Sequence, residues 1–173
     1  MVVVLFLAAH VDHAVDGGRP ANALAARAGD DAALERCLAV EVKPSLLITV
    51  DCGTASGPQI ERLGEQDIDV IVVDHHETGE AGRPPAVAVV NPKLGDDYGY
   101  LCSAGVVFKL AHALLKTRRL ENVDLREFLD LVAVATIADI VPLLGENRLL
   151  VRHGLRRLPG TPNHGLRALM EVS

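Results

Sequence analysis

Two short stretches of this chain carry side chains that bind metals and move protons, and each closes an apolar run. Thr49-Val50-Asp51-Cys52-Gly53 follows one run that begins at Leu46, and Val73-Asp74-His75-His76 follows another that begins at Val70. Both runs are short, rich in β-branched residues and continuous instead of alternating, which predicts buried strands of a parallel sheet. In an open α/β sheet the carboxyl ends of the strands line the crevice where ligands bind. Two carboxylates and two imidazoles at such ends predict a metal site. The competing reading makes them helix caps and a buried histidine pair. Against it, Asp-His-His directly after a buried strand is costly unless something neutralises the charge.

The rest of the chain supplies the elements that must hold these ends in place. Residues 2–8 read as a strand, and residues 20–27 and 31–40 as helices with Asp30 or Asp31 as a cap. Ser56-Gly57-Pro58-Gln59 matches a capping box with proline in the first turn, opening a helix that runs to about residue 66. A loop rich in glycine and proline leads to a strand over residues 86–90. A helix from Ser103 or Ala104 places Val107, Leu110, Ala111 and Leu114 on one face. Another over residues 125–138 buries Phe128, Leu131, Val132 and Ala135, and a third over 146–158 is anchored by Val151, Leu155 and Leu158. A short helix over 165–171 ends the chain. This alternation predicts an α/β fold: one domain over residues 1–173, a doubly wound, mainly parallel sheet with helices on both faces.

Composition agrees with that class and narrows the rest. Hydrophobic residues make up 49% of the chain but aromatics only 3%, so the core is built from Val, Leu, Ile and Ala, as suits a sheet covered by helices. A net charge of −6 argues against holding a polyanion through overall charge. It does not exclude a nuclease, because metal-binding carboxylates make the formal charge negative and bound cations reverse it locally. Cys37, Cys52 and Cys102 are odd in number and widely spaced, which predicts reduced thiols in a cytoplasmic protein instead of a disulfide frame or zinc site. Residues 1–9 are apolar but too short and uncharged for a signal peptide, and no run reaches membrane-spanning length.

Asp74-His75-His76 resembles the signature triplet of the DHH phosphoesterases. The flanking text resembles the RecJ branch of that family, the single-strand-specific exonucleases. It comprises Leu47 to Thr54, Val89-Val90-Asn91-Pro92-Lys93, Ala104-Gly105-Val106-Val107-Phe108-Lys109-Leu110, Ala138-Asp139-Ile140-Val141-Pro142-Leu143 and Glu146-Asn147-Arg148. The similarity is dense over residues 45–171. The family's first motif is His, three residues, Asp, one residue, Asp-Gly. Here His10, Asp16 and Gly17 fit, and Asp12 fits a position that is acidic in RecJ-like chains, but Ala14 stands where the family has a carboxylate. The 34 residues between Asp16 and Asp51 show neither the extra strand nor the Gly-Tyr-Gly loop of such chains. The family's second, substrate-binding domain, with its Gly-Gly-His motif, is also not found.

The resemblance implies a metal-dependent phosphodiesterase that hydrolyses single-stranded DNA from its 5′ end. Two divalent ions roughly 3.5–4 Å apart clamp a phosphodiester and lower the pKa of a bridging water. By the resemblance, Asp51 bridges the ions, while Asp16, His75 and Asp139 complete one shell and His10 and the residue at Ala14 the other, with Asp12 a further metal candidate. His76 then faces the phosphate or leaving group, and Asp74 orients a histidine through its free ring nitrogen. Oxygen donors mixed with imidazole select Mn²⁺ or Mg²⁺.

Other candidates have a plain reading beside the functional one. Arg148, Arg152 and Arg156 recur every four residues, as a solvated helix face or as a stripe that contacts phosphate. Ser103 and Gly105 open a helix whose free N–H groups suit a phosphate, or they simply start it. Cys52 reads as a small packing residue, His13 as a solvated loop residue, and His112, His153 and His164 as structural. The leading function is thus a RecJ-like nuclease core acting on single-stranded nucleic acid, with no membrane partner. One alternative is a phosphodiesterase for short oligonucleotides or cyclic-dinucleotide products. Another, favoured by Ala14, is a non-catalytic binding or scaffold relative.

Overall fold

A computed structural model of the chain describes residues 44–79, 82–95 and 99–173, together with the backbone of two strands nearer the amino terminus. The chain divides into two compact units, Met1–Gly99 and Tyr100–Ser173. The first unit is built on a five-stranded sheet of order β2-β1-β3-β4-β5. Its strands are β1 (Val3–Leu7), β2 (Ala23–Ala25), β3 (Leu46–Val50), β4 (Asp69–Val73) and β5 (Ala88–Val90). The run β3-β4-β5 is parallel, as the continuous apolar runs predict. β1 instead pairs antiparallel with both β2 and β3, so the sheet as a whole is mixed. The helix expected over residues 20–27 is a correction: Ala23–Ala25 is a strand. Its Ala-Leu-Ala sequence has good helix propensity, but pairing along β1 overrides a preference worth only tenths of a kcal/mol per residue. The helix expected over residues 31–40 lies outside the described residues.

Helix α1 (Gly57–Gly64) returns the chain from β3 to β4. Its buried Ile60 and Leu63 pack with Leu47, Ile68, Val70 and Val72 into one cluster, joined by Ala86 and Val89. Each fully buried Val, Leu or Ile of the cluster contributes about 1.5–3 kcal/mol by leaving water. Alternate residues of β3 are buried toward this cluster, while Leu46, Ile48 and Val50 on the other face are half-buried. Ser56 precedes α1 but makes no side-chain capping bond, so the expected capping box does not form. Its backbone is committed instead to the turn from Gly53, whose carbonyl accepts the Ser56 N–H at 3.0 Å.

The second unit is helical: α2 (Ser103–Thr117), α3 (Leu129–Ala138), α4 (Gly145–Arg157) and α5 (His164–Val172). A 3-10 turn, Leu125–Phe128, precedes α3 and alters its phase relative to one long helix. The buried set is Leu129, Val132, Ala133 and Thr136, a stripe at helical spacing, together with Asp130, which accepts the Thr161 hydroxyl. Phe128 and Leu131 are therefore exposed, contrary to expectation, as are Leu114 of α2 and Leu155 of α4. On α4 the buried residues are Asn147, Val151 and Gly154. Asn147 is fully buried and donates to the carbonyls of Tyr100 and Pro142. No described helix is long and apolar enough to cross a membrane.

Gly154 sets the α3–α4 contact. A Cβ at this position would fall on the Leu129 carbonyl and the Ala133 methyl, so the two backbones approach as closely as a missing side chain allows. Gly154→Ala is expected to destabilise the second unit by about 3 kcal/mol through overpacking. A urea melt of the two proteins checks this, and an unchanged midpoint would contradict it.

Candidate metal centre

Register alone aligns the ends of three strands. Val50 lies opposite Val73, and Val73 opposite Val90. The ladder continues one step further: the Asp51 N–H donates to the Val73 carbonyl and the Asp74 N–H to the Val90 carbonyl, each at 3.0 Å. Asp51, Asp74 and Asn91 therefore stand side by side in a row along the carboxyl edge. The chain then turns sharply at Asp51, whose φ of +64° is left-handed. The Thr49 hydroxyl closes this turn by donating to the Cys52 carbonyl at 3.0 Å. Gly53 has φ +108°, and a Cβ there would lie 2.7 Å from Thr49 Oγ1 and 3.1 Å from Val72, so only glycine fits. Left-handed backbone at a residue other than glycine is retained where surrounding structure forces it, and such positions cluster at functional sites.

Asp74 is the buried anchor of the row, at 1% exposure. Its Oδ2 accepts the Thr54 N–H at 3.0 Å, and its Oδ1 accepts the N–H groups of His75 at 2.8 Å and His76 at 3.3 Å. Burial pushes the Asp74 carboxyl up, but hydrogen bonds from Thr54, His76 and His75 outweigh it and hold the group down at about 2. Asp74 is thus an anion, and the 2.7 Å contact from His76 Nδ1 to its Oδ1 is a donated N–H. That fixes the His76 tautomer and leaves Nε2 as the basic nitrogen. The His76 side chain is 58% exposed, so this nitrogen is available to a ligand.

Beside it, His75 Nε2 lies 3.4 Å from Asp51 Oδ1. Asp51, His75 and His76 each offer a ligand atom, all within 4.8 Å of one another. One carboxylate and two imidazoles at that spacing fit a divalent ion of intermediate hardness such as Mn²⁺. Cys52 does not compete as a nucleophile. Burial and the neighbouring Asp74 and Asp51 carboxylates push its thiol up to about 12, so it stays protonated.

Two residues of this site lie in segments that carry the RecJ resemblance but are given no role by the sequence reading. Thr54 is buried and donates to Asp74. Asn91, also buried, donates through Nδ2 to Thr54 Oγ1 at 3.0 Å and to the His76 carbonyl at 2.9 Å. The signal that would have found Asn91 is its place: it follows β5 as Asp51 follows β3 and Asp74 follows β4.

Of the residues expected in the site, the structure brings Asp51, Asp74, His75 and His76 together. His10, Asp12 and Asp16 lie outside the described residues. The others belong to the second unit. Asp139 ends α3, its N–H donating to the Ala135 carbonyl at 3.0 Å. The negative end of a helix is a poor place for an acid on structural grounds alone. The next residue, Ile140, holds φ +55° and is 89% exposed, an outlier for a β-branched side chain. Arg148 and Arg152 are exposed along α4. Ser103 and Gly105 are buried, Gly105 against Leu101.

Comparison with known proteins gives a consistent picture. The family model described as the DHH family, N-terminal domain, matches residues 2–136. The single-stranded-DNA-specific exonuclease RecJ of Bacillus subtilis strain 168 is 47% identical over 132 residues, which cover 75% of this chain and 16% of that protein. RecJ from Thermus thermophilus, solved in complex with Mn²⁺, is 41% identical and superposes with a TM-score of 0.69 over 80% of this chain and 21% of that one. The same protein with Mg²⁺ matches at 38% identity and a TM-score of 0.53, over 76% of this chain and 17% of that one. The chain thus spans about a fifth of the length of the proteins it matches.

The Asp74 environment has a direct consequence for stability. A carboxyl held at about 2, against an ordinary 3.8, contributes stability that is fully present above 3.8 and lost as pH falls through 2. The amount is about 2 kcal/mol. Chemical melts between pH 6 and pH 2 should therefore show a fall in stability below pH 4 that is smaller in Asp74→Asn. Parallel curves would contradict the assigned bonds.

Proposed function

This chain belongs to the DHH family, and on that premise we propose that it is the metal-bearing core of a RecJ-like nuclease acting on single-stranded DNA from the 5′ end. One observation carries the reading. A carboxylate and two imidazoles converge within 4.8 Å at the ends of adjacent parallel strands, beside a buried carboxylate that is held ionised. The RecJ proteins that the chain resembles are single-strand-specific exonucleases and bind Mn²⁺ or Mg²⁺. Asp51 and His75 would hold the metal, with His10, Asp12, Asp16 and Asp139 as further ligands on the strength of the motif resemblance. When bound, such ions supply a water of lowered pKa and neutralise charge on the phosphate.

The chain's own residues do the rest. Asp74 holds a proton on His76 Nδ1, so Nε2 is the nitrogen that takes up a proton near the reacting phosphate or returns one to the leaving oxygen. Arg148 and Arg152, exposed on α4, are proposed contacts to the phosphate backbone, which would grip a strand without reading its sequence. Cys52 and Cys102 are free and buried, which supports a reducing, cytoplasmic setting.

The test is hydrolysis of a 5′-labelled single-stranded oligonucleotide with Mn²⁺. The expected result is metal-dependent cleavage, reduced about a hundredfold or more in Asp51→Asn and increased in Ala14→Asp, which restores the family's carboxylate. An inert parent with an active Ala14→Asp variant would mark a nuclease weakened at one ligand. Cleavage indifferent to both Mn²⁺ and Asp51→Asn would overturn the proposal. An inert pair that still binds the oligonucleotide would favour the binding relative.

A further inference from the structure

We propose that Asn91 is a positioning residue for the metal-site histidine, acting through Thr54 and Asp74 in a closed ring of hydrogen bonds. The role rests on the functional reading above but concerns a residue that touches neither metal nor substrate. Asn91 is 8% exposed and every group of its amide is used. Nδ2 gives one N–H to Thr54 Oγ1 and the other to the His76 carbonyl, and Oδ1 accepts the Lys93 N–H at 2.9 Å. With two acceptors on one side of the amide and a donor on the other, its orientation is fixed.

That orientation fixes the partner that each group of the amide meets. Thr54 Oγ1 accepts the Asn91 N–H, and the Thr54 backbone N–H donates to Asp74 Oδ2 at 3.0 Å. Asp74 in turn accepts from His76 Nδ1 at 2.7 Å. The Asn91 bond to the His76 carbonyl closes the circuit. The ring thus favours one tautomer and one ring orientation for His76, with Nε2 outward.

A second strap holds the same segment. The bond from the Lys93 N–H to Asn91 Oδ1 caps the turn Pro92–Leu94, and Lys93 Nζ reaches Glu77 Oε1 at 2.8 Å, next to His76. Aspartate cannot replace Asn91. It lacks both donors, so it can satisfy neither Thr54 Oγ1 nor the His76 carbonyl, and its charge would repel that carbonyl. Groups that orient a ligand in this way typically change metal affinity or activity by about 10–100-fold when removed.

The experiment compares the parent chain with Asn91→Asp, Thr54→Val and Thr54→Ser. First, the metal-free proteins are examined by NMR at pH 8, reading the His76 ring-nitrogen shifts, with the amide spectrum confirming the fold. The parent and Thr54→Ser should show a dominant tautomer protonated on Nδ1. Asn91→Asp and Thr54→Val should show a mixture. Mn²⁺ titration should then give about 10–100-fold weaker binding for Asn91→Asp and Thr54→Val, and near-parent binding for Thr54→Ser.

Identical His76 shifts in all four proteins would overturn the proposal, as would a Thr54→Ser variant that behaves like Thr54→Val. Should Asn91→Asp fail to fold, the Thr54 pair decides the matter. A parent chain that shows the expected tautomer but binds no Mn²⁺ would count against the proposed function and not against the role of Asn91.

Discussion

A carboxylate taken out of water stays charged only if its surroundings donate to it, and Asp74 is where this chain meets that requirement. Three backbone N–H groups and an imidazole all point at one buried side chain. Removing any partner from such a group costs more than making the bond gains, because the remaining charge is left short of donors. The sharp turn after β3 that delivers the Thr54 N–H and the turn after β4 that delivers two more are both fixed by this demand. The position and tautomer of His76 follow from it.

The parallel ladder supplies the second constraint. Bonds continuing one residue past β3 and β4 make Asp51, Asp74 and Asn91 neighbours, although 40 positions separate the first from the last. Asp51 leaves the ladder with left-handed backbone, next to a glycine whose missing Cβ lets the turn close on Thr49 and Val72. The DHH triplet is thus one part of a three-strand device, with Asp51 from the strand before and Asn91 from the strand after.

Much of this is legible in the sequence. Continuous β-branched runs ending in Asp51 and in Asp74-His75-His76 identify two neighbouring parallel strands, and both strands stand where those runs place them. Asn91 is quoted with the resemblance but is given no role, because Asn-Pro reads first as a turn and its strand is only three residues long. Ala23–Ala25 misleads because local helix propensity says nothing about the β1 edge that captures it. In the second unit the 3-10 turn before α3 shifts the buried stripe away from Phe128 and Leu131, a change of phase that apolar spacing cannot register. The same spacing puts Leu155 inside. It yields that place to Gly154, because the α3 backbone approaches too closely for a larger residue.

The most direct measurement is anomalous diffraction at the manganese absorption edge from crystals of the chain grown with Mn²⁺. The strand-end row predicts an anomalous peak within coordination distance, about 2 Å, of the Asp51 carboxylate and a His75 ring nitrogen. His76 Nδ1 should remain on Asp74 in the same crystals. A peak elsewhere on the molecule, or none at saturating Mn²⁺, would contradict the assignment of this edge as the metal centre.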